Sequence, residues 1–241
     1  MTTTDKLTIG FMSPTTRNRP HFESLRRILP DGVTLDFGEL GLVRSALTDL
    51  KDRMDAILAK TVAGVRDGGW DAVIVPGAPV ELQNVGLRER LAAELSVPFT
   101  TALGAAADAL RSYGAHDVLV MTPFDPSMNA LLTDHLSAVG FGVTCAELGF
   151  SNENEALDIG PAEVFEMARR AMRAAGHIDA LYFQGAVLDP LPIIDDMEGE
   201  FSVPVIASNP TMLWSVLSKL GRTYHIERAG RLVSEWPVEP R

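Results

Sequence analysis

Cysteine is almost missing from this sequence. Cys145 is the single cysteine in 241 residues, which excludes an intrachain disulfide and any cysteine metal cluster. The five histidines, His21, His116, His135, His177 and His225, show no HxxxH type of spacing, so no metal is expected. No apolar run approaches the roughly twenty residues a membrane span needs. The opening Met1-Thr-Thr-Thr-Asp-Lys6 lacks the apolar core of a signal peptide. A cytoplasmic protein with no membrane partner is the expectation. Positive charge is short as well: 21 Lys and Arg against 32 Asp and Glu leave a net charge of −11. Nucleic acid is disfavoured, because its binding depends on clustered cations that displace counterions. An anionic small molecule needs only a local pocket of donors.

What is present is a stretch written twice. Asp71-Ala-Val-Ile-Val-Pro-Gly-Ala78 returns as Asp179-Ala-Leu-Tyr-Phe-Gln-Gly-Ala186, an offset of 108 positions. Each copy runs from an acidic start through a solid apolar run into Gly-Ala. A parallel strand covered on both faces and closed by a tight turn reads this way. Glu94-Leu-Ser-Val-Pro98 likewise reappears as Glu200-Phe-Ser-Val-Pro204. Length alone allows one large domain or two small ones, and the repeat decides for two similar lobes.

In chain order, strands are expected over 7–12, 33–40, 72–76 and 97–101, with helices over 21–29, 45–66, from Gly77 to about Leu95, and over 103–113. The second half repeats the plan, with strands over 117–121, 143–148, 179–183 and 203–207 and helices over 126–139, 161–175, 192–200 and 210–220. Alternation of this kind implies parallel strands joined by right-handed crossovers. The expected fold is α/β: two pseudo-symmetric Rossmann-like lobes, 1–115 and 116–221, each with a mainly parallel four-stranded sheet flanked by helices, and a cleft between them. The segment 222–241 is either a terminal strand or a tail packed on the first lobe.

Ligands of open α/β sheets bind beyond the carboxyl ends of the strands, which selects the loops Pro14–Asn18, Gly77–Glu81, Thr122–Asn129, Gln184–Asp189 and Ser208–Pro210. At these loops the chain resembles the aspartate/glutamate racemase superfamily, in its maleate isomerase and arylmalonate decarboxylase branch. The resemblance rests on Gly10-Phe-Met-Ser-Pro14, Val75-Pro-Gly77, Val97-Pro-Phe-Thr-Thr101, Met121-Thr-Pro-Phe-Asp-Pro-Ser-Met-Asn129, Gln184-Gly185, and Val203-Pro-Val-Ile-Ala-Ser-Asn209 followed by Leu213-Trp214. It implies carbon-acid chemistry without a cofactor. Racemases and isomerases of that kind use one cysteine from each lobe, and the decarboxylases keep only the second. This chain has Gly77 at the first position and Gln184 at the second.

Both thiols are therefore missing, and a glutamine amide cannot shuttle a proton. The repeat offers one substitute pair, Glu81 and Asp189, each four residues past its glycine. Facing each other in a cleft they would form an acid and a base; the bland alternative makes each a helix-start residue, with Asp189 capping ahead of Pro190. Cys145 reads as a small buried apolar residue, and His21 as a possible base or a solvated helix-face histidine. The candidate catalytic positions are thus Gln184, Gly77, Asp189 and Glu81. Candidate substrate contacts are Pro14, Thr15, Arg17 and Asn18 on the first loop, Ala78 and Pro79 on the second, and Thr122, Phe124 and Asn129 on the third. Gly185, Ala186 and Asn209 complete the set. Phe124 stands where the resembled family commonly has a tyrosine, and Arg17 either clamps a carboxylate or is solvated.

The leading functional reading is a cofactor-independent enzyme acting on a small mono- or dicarboxylic acid through an enolate-like intermediate. It favours decarboxylase or lyase chemistry over two-thiol racemisation, because expelling carbon dioxide into an apolar pocket needs no base to begin. The alternatives are a cis-trans isomerase, a hydrolase or hydratase using carboxylates, and a non-catalytic carboxylate-binding protein, with a second copy of the chain, in a homo-oligomer, as a candidate partner in each case.

Overall fold

The two copies of the repeated run become the third strands of two separate sheets. A computed structural model describes residues 6–15, 22–43 and 47–238, with Phe22 described by its backbone alone. The first sheet holds β1 (Leu7–Ser13), β2 (Val33–Glu39), β3 (Ala72–Val75) and β4 (Phe99–Thr101), in the order β2-β1-β3-β4. The second holds β5 (Asp117–Met121), β6 (Gly142–Cys145), β7 (Ala180–Phe183) and β8 (Val205–Ala207), in the matching order β6-β5-β7-β8. Every pairing is parallel. The acidic residue opening each repeat does the same work twice. Asp71 accepts from the Thr8 N–H at 2.7 Å, and Asp179 accepts from the N–H groups of His116 and Asp117 at 2.9 and 2.8 Å. Each carboxylate thus pins the start of the neighbouring strand, a charge-assisted bond stronger than a neutral one.

The flanking helices are α1 (Phe22–Arg27), α2 (Met54–Gly68), α3 (Ala78–Leu82), α4 (Leu87–Glu94), α5 (Ala102–Ser112), α6 (Pro126–Ala138), α7 (Pro161–Ala175), α8 (Ile194–Phe201), α9 (Ser208–Lys219) and α10 (Arg231–Glu235). Local chemistry starts several of them. Asp125 caps α6 by accepting from Ser127 and Met128 at 2.8 and 3.0 Å, with Pro126 next in the first turn. Two expected helices are each broken. Residues 47–50 form a 3-10 turn before α2 begins at Met54, and the helix expected from Gly77 to Leu95 divides into α3 and α4. One buried side chain accounts for both breaks. Asn84 donates to the carbonyls of Leu50 and Val80 at 2.9 and 2.8 Å, and accepts from the Arg53 N–H at 2.9 Å. It replaces the hydrogen bonds a continuous helix would have made. The expected start of the first of these helices, 45–46, lies outside the described residues.

Helices α5 and α9 close the two halves onto each other. α9 is buried continuously from Ser208 to Leu217 and packs on α5, on β3 and β4 of the first sheet, and on β8 of the second. Its partner α5 is rich in alanine, with Ala102, Ala105, Ala106, Ala107 and Ala109 all buried. Small side chains at a contact allow helix axes to approach closely. The buried hydroxyls of Thr100 and Ser215 meet across this seam at 2.9 Å, and the main apolar core runs through both lobes. The C-terminal segment is a short helix rather than a strand. α10 packs on α9 and β8, while Tyr224–Glu227 lines a groove with Arg27–Asp31 of the first lobe. No described helix is long and apolar enough to cross a membrane.

A second core lies on the outer face of the first sheet, around Trp70. The indole donates to Asp36 at 2.8 Å and is surrounded by four glycines, Gly10, Gly38, Gly64 and Gly68, at each of which an added Cβ would press on the ring. A glycine is required at β1 here for space rather than for backbone freedom. Gly10→Ala is expected to destabilise the protein by about 1–3 kcal/mol through overpacking, read as a lower urea midpoint at unchanged slope.

Candidate functional site

All five loops selected from the sequence leave the carboxyl ends of strands β1, β3, β5, β7 and β8 on one side of the molecule. Between them lies a cavity of about 110 Å3. Gly77 and Gln184-Gly185, the two tips written by the repeat, both line it, so they face each other across a shared cleft. Both tip glycines have positive φ, +92° at Gly77 and +104° at Gly185, a conformation that glycine adopts without a Cβ penalty. Of the other expected contacts, Pro14, Thr15, Pro79, Phe124, Ala186 and Asn209 also line the cavity. Arg17, Asn18 and His21 lie outside the described residues. Most of the remaining wall is apolar, from Phe11, Leu47, Leu50, Val80, Val187 and Met212.

Gln184 is buried, and its amide orientation follows from its neighbours. One end stands 3.3 Å from the backbone N–H groups of both Ala78 and Gly185. An N–H can only donate, so that end is the amide oxygen and the other is the nitrogen. The nitrogen then donates to the hydroxyls of Tyr182 and Ser208. Ser208 is satisfied in turn, accepting from the Gly185 N–H at 3.2 Å and donating to the Phe183 carbonyl at 3.1 Å. The amide thus makes all four of its bonds to protein, and one of them, to Ala78, crosses from the second lobe to the first. It acts as a clasp between lobes with no proton to give. The Tyr182 hydroxyl is pushed far above its ordinary pKa, by burial first and by the charge of Glu81 second, so it does not ionise either.

The carboxylate pair is corrected by the structure. Neither Glu81 nor Asp189 lines the cleft. Glu81 sits on the far side of α3 and accepts from the Leu103 N–H at 3.0 Å, at the start of α5. Asp189 accepts from the Leu191 N–H at 3.1 Å and lies near Ser24 and Arg27 of the first lobe. Four residues past the glycine the chain has already turned away from the opening, so both are helix-start residues. Thr122 and Asn129 are withdrawn too: the Thr122 hydroxyl bonds the Asn129 amide oxygen and accepts from the Phe124 N–H at 3.1 Å. Asn129 donates to the Phe124 carbonyl at 3.1 Å. Together they hold the turn that presents Phe124 to the cavity. Ala78 contributes its N–H rather than its side chain. Cys145, at the end of β6, is half-buried and lines a different cavity with Arg170 and Ala171. Burial and then Glu147 push its thiol up to about 11.

One ionisable lining residue has no counterpart in the sequence reading. Glu153, on a 3-10 turn at Glu153–Ala156, is the sole ionisable side chain among the described lining residues. Its segment has neither helical nor strand periodicity, so nothing local marks it. Among the described residues one group has the ligand types of a cation site, Asp117, His177 and Asp179, with ligand atoms within 4.8 Å of one another. It lies at the opening ends of strands, away from the cleft, and Asp179 already serves two backbone N–H groups.

The burial of Glu81 has a pH signature. Its pKa is raised, chiefly by desolvation, against the opposing bond from Leu103, and its second oxygen has no partner among the described residues. With the folded pKa above the unfolded one, the stability this group permits is complete below the unfolded value and lost as pH rises through the folded value. Thermal melts should therefore show wild type losing stability relative to Glu81→Gln from near the ordinary carboxyl value of 4.5 upward, with a wider gap at pH 8 than at pH 5. An unchanged gap would place the charge on Glu81 in both states.

Comparison with known proteins agrees with this architecture. The family model described as arylmalonate decarboxylase matches residues 44–233. Maleate isomerase of Nocardia farcinica is 27% identical over 133 residues, 55% of this chain and 53% of that protein. Arylmalonate decarboxylase of Bordetella bronchiseptica is 25% identical over 139 residues, 57% and 58% of the two chains. The match thus spans about half the length of these curated relatives. Among solved structures, unliganded arylmalonate decarboxylase superposes with a TM-score of 0.80 at 22% identity, over 95% of this chain and 100% of that one. Maleate isomerase Iso from Pseudomonas putida S16 gives 0.80 at 18%, over 96% and 100%. The structural likeness shows a shared fold, and with a family model covering most of the sequence, the chain belongs to the arylmalonate decarboxylase family.

Proposed function

We propose that this protein is a cytoplasmic, cofactor-independent enzyme that acts on a small carboxylic acid through an enolate-like intermediate, by decarboxylation or related lyase chemistry. The observation that carries the reading is the meeting of both repeat tips on one apolar cavity at the strand ends. Relatives named as a decarboxylase and as isomerases support the reaction class. With no thiol in the cleft, a step that begins by losing carbon dioxide asks least of the side chains. The C–C bond to the departing carboxylate breaks, carbon dioxide leaves, and the bond's electrons pass into an adjoining carbonyl group, so that the negative charge settles on that carbonyl's oxygen. Helix α9 opens into the cavity at Ser208 and Asn209, so its positive dipole end faces that charge. The apolar wall strengthens the interaction by excluding water. Thr15 and Asn209 are the side chains we assign to the substrate carboxylate, with Gln184 holding the tips in register. A proton taken up from solvent returns to the carbanion and completes the cycle.

A second reading, a carboxylate-binding protein without turnover, is favoured by one observation: every hydrogen bond of the Gln184 amide is already spent on protein. Incubation with acetoacetate, mandelate, phenylmalonate and maleate, followed by NMR and by thermal shift, separates the two. Product from at least one acid, reduced about a hundredfold in Gln184→Ala through misplacement of the tips, supports the enzyme. Thermal stabilisation with no product supports the binder, and neither response rejects both.

A further inference from the structure

The cleft carries its own negative charge. Glu153 is half-buried at the cavity and makes no hydrogen bond or ion pair with a described residue. Its neighbours are all tied into the turn: Asn152 accepts from Asn154 at 3.0 Å, and Glu155 accepts from Ser151 and Asn152 at 2.9 and 3.1 Å. Glu153 is thus the one carboxylate of its segment left facing the cavity. No described cation lines the cavity beside it. The cavity is also lined by Phe11, Val80, Phe124 and Met212, and low-dielectric walls lengthen the reach of a charge.

We infer that this cleft takes monocarboxylates and discriminates against dicarboxylates, with Glu153 as the specificity-determining residue. The donors at the start of α9 and at Thr15 accommodate one carboxylate. A second carboxylate in the same small space meets Glu153 without a counter-charge from the described residues. A hydroxyl or other hydrogen-bond donor in that position meets an acceptor instead. Maleate and the arylmalonates, for which the relatives are named, are dicarboxylates, so this chain would have turned a shared fold to a different charge class. Specificity of this kind comes from a repulsive element as much as from an attractive one. The inference rests on the cleft being the acid-binding site proposed above.

Mandelate and phenylmalonate make the test, since they share a phenyl ring and one carboxylate on the α-carbon and differ by a hydroxyl against a second carboxylate there. Calorimetric titration of the whole protein at pH 8 and low ionic strength should show mandelate binding about tenfold more tightly than phenylmalonate. Glu153→Gln, which breaks no described hydrogen bond, should keep the wild-type melting temperature and bring the two affinities within about twofold, mainly by tightening phenylmalonate. Raising the salt should shrink the wild-type difference in the same direction. Equal or stronger binding of phenylmalonate by wild type overturns the inference while leaving the acid-binding cleft in place, and so does a ratio unchanged in Glu153→Gln. No binding of either acid overturns it together with the reading it rests on.

Discussion

Helix α9 has no solvent-facing side from Ser208 to Leu217, and its burial is the constraint on which the rest of the molecule depends. A helix buried on all its faces must be covered on every side. Here the cover comes from α5, from β3 and β4 of one sheet, and from β8 of the other. Neither lobe supplies that cover alone. The two duplicated sheets are thereby held with the carboxyl ends of their strands at one opening, and the N-terminus of α9 itself looks into it. A stability requirement and a binding geometry are met by the same helix.

The Gln184 clasp depends on that arrangement. Its amide reaches Ala78 in the first lobe because the turns after β3 and β7 open on the same cavity. With four partners it is fully satisfied, and a fully satisfied buried polar group specifies its geometry strongly. A thiol at this position would have at most one weak donor and could not close the same network. Compared with a thiol, glutamine gives this position a rigid group in place of a reactive one. Whatever this cleft does, it does with fixed dipoles and shape rather than with a mobile proton at the tips.

The duplicated strands were legible in the sequence because a strand buried on both faces has no polar positions to blur it, and Asp71 and Asp179 mark the start of each. The convergence of Gly77 and Gln184 followed from the repeat and the strand-end rule together. Where the reading failed, long-range bonds or turn geometry decided. Asn84 divides two helical patterns through carbonyls as far away as Leu50, which no local periodicity records. Glu81 and Asp189 are equivalent in sequence, yet lie one turn past the opening, and each is drawn off by a backbone N–H. Glu153 arrives from an irregular segment, so only the assembled cavity reveals it.

Glu153 also bears on the chemistry through the charge of the intermediate. Loss of carbon dioxide from a β-keto monocarboxylate leaves a monoanionic enolate on the keto oxygen, while the same step on a malonate-type dicarboxylate leaves a dianionic enediolate of the remaining carboxylate. In an apolar cavity already holding an anion, each further charge is costly, because desolvation weakens the charged form and like charges repel. The α9 terminus offsets one unit of developing charge more readily than two. A cleft with one fixed anion and one positive helix end is accordingly matched to a reaction in which the substrate stays singly charged throughout.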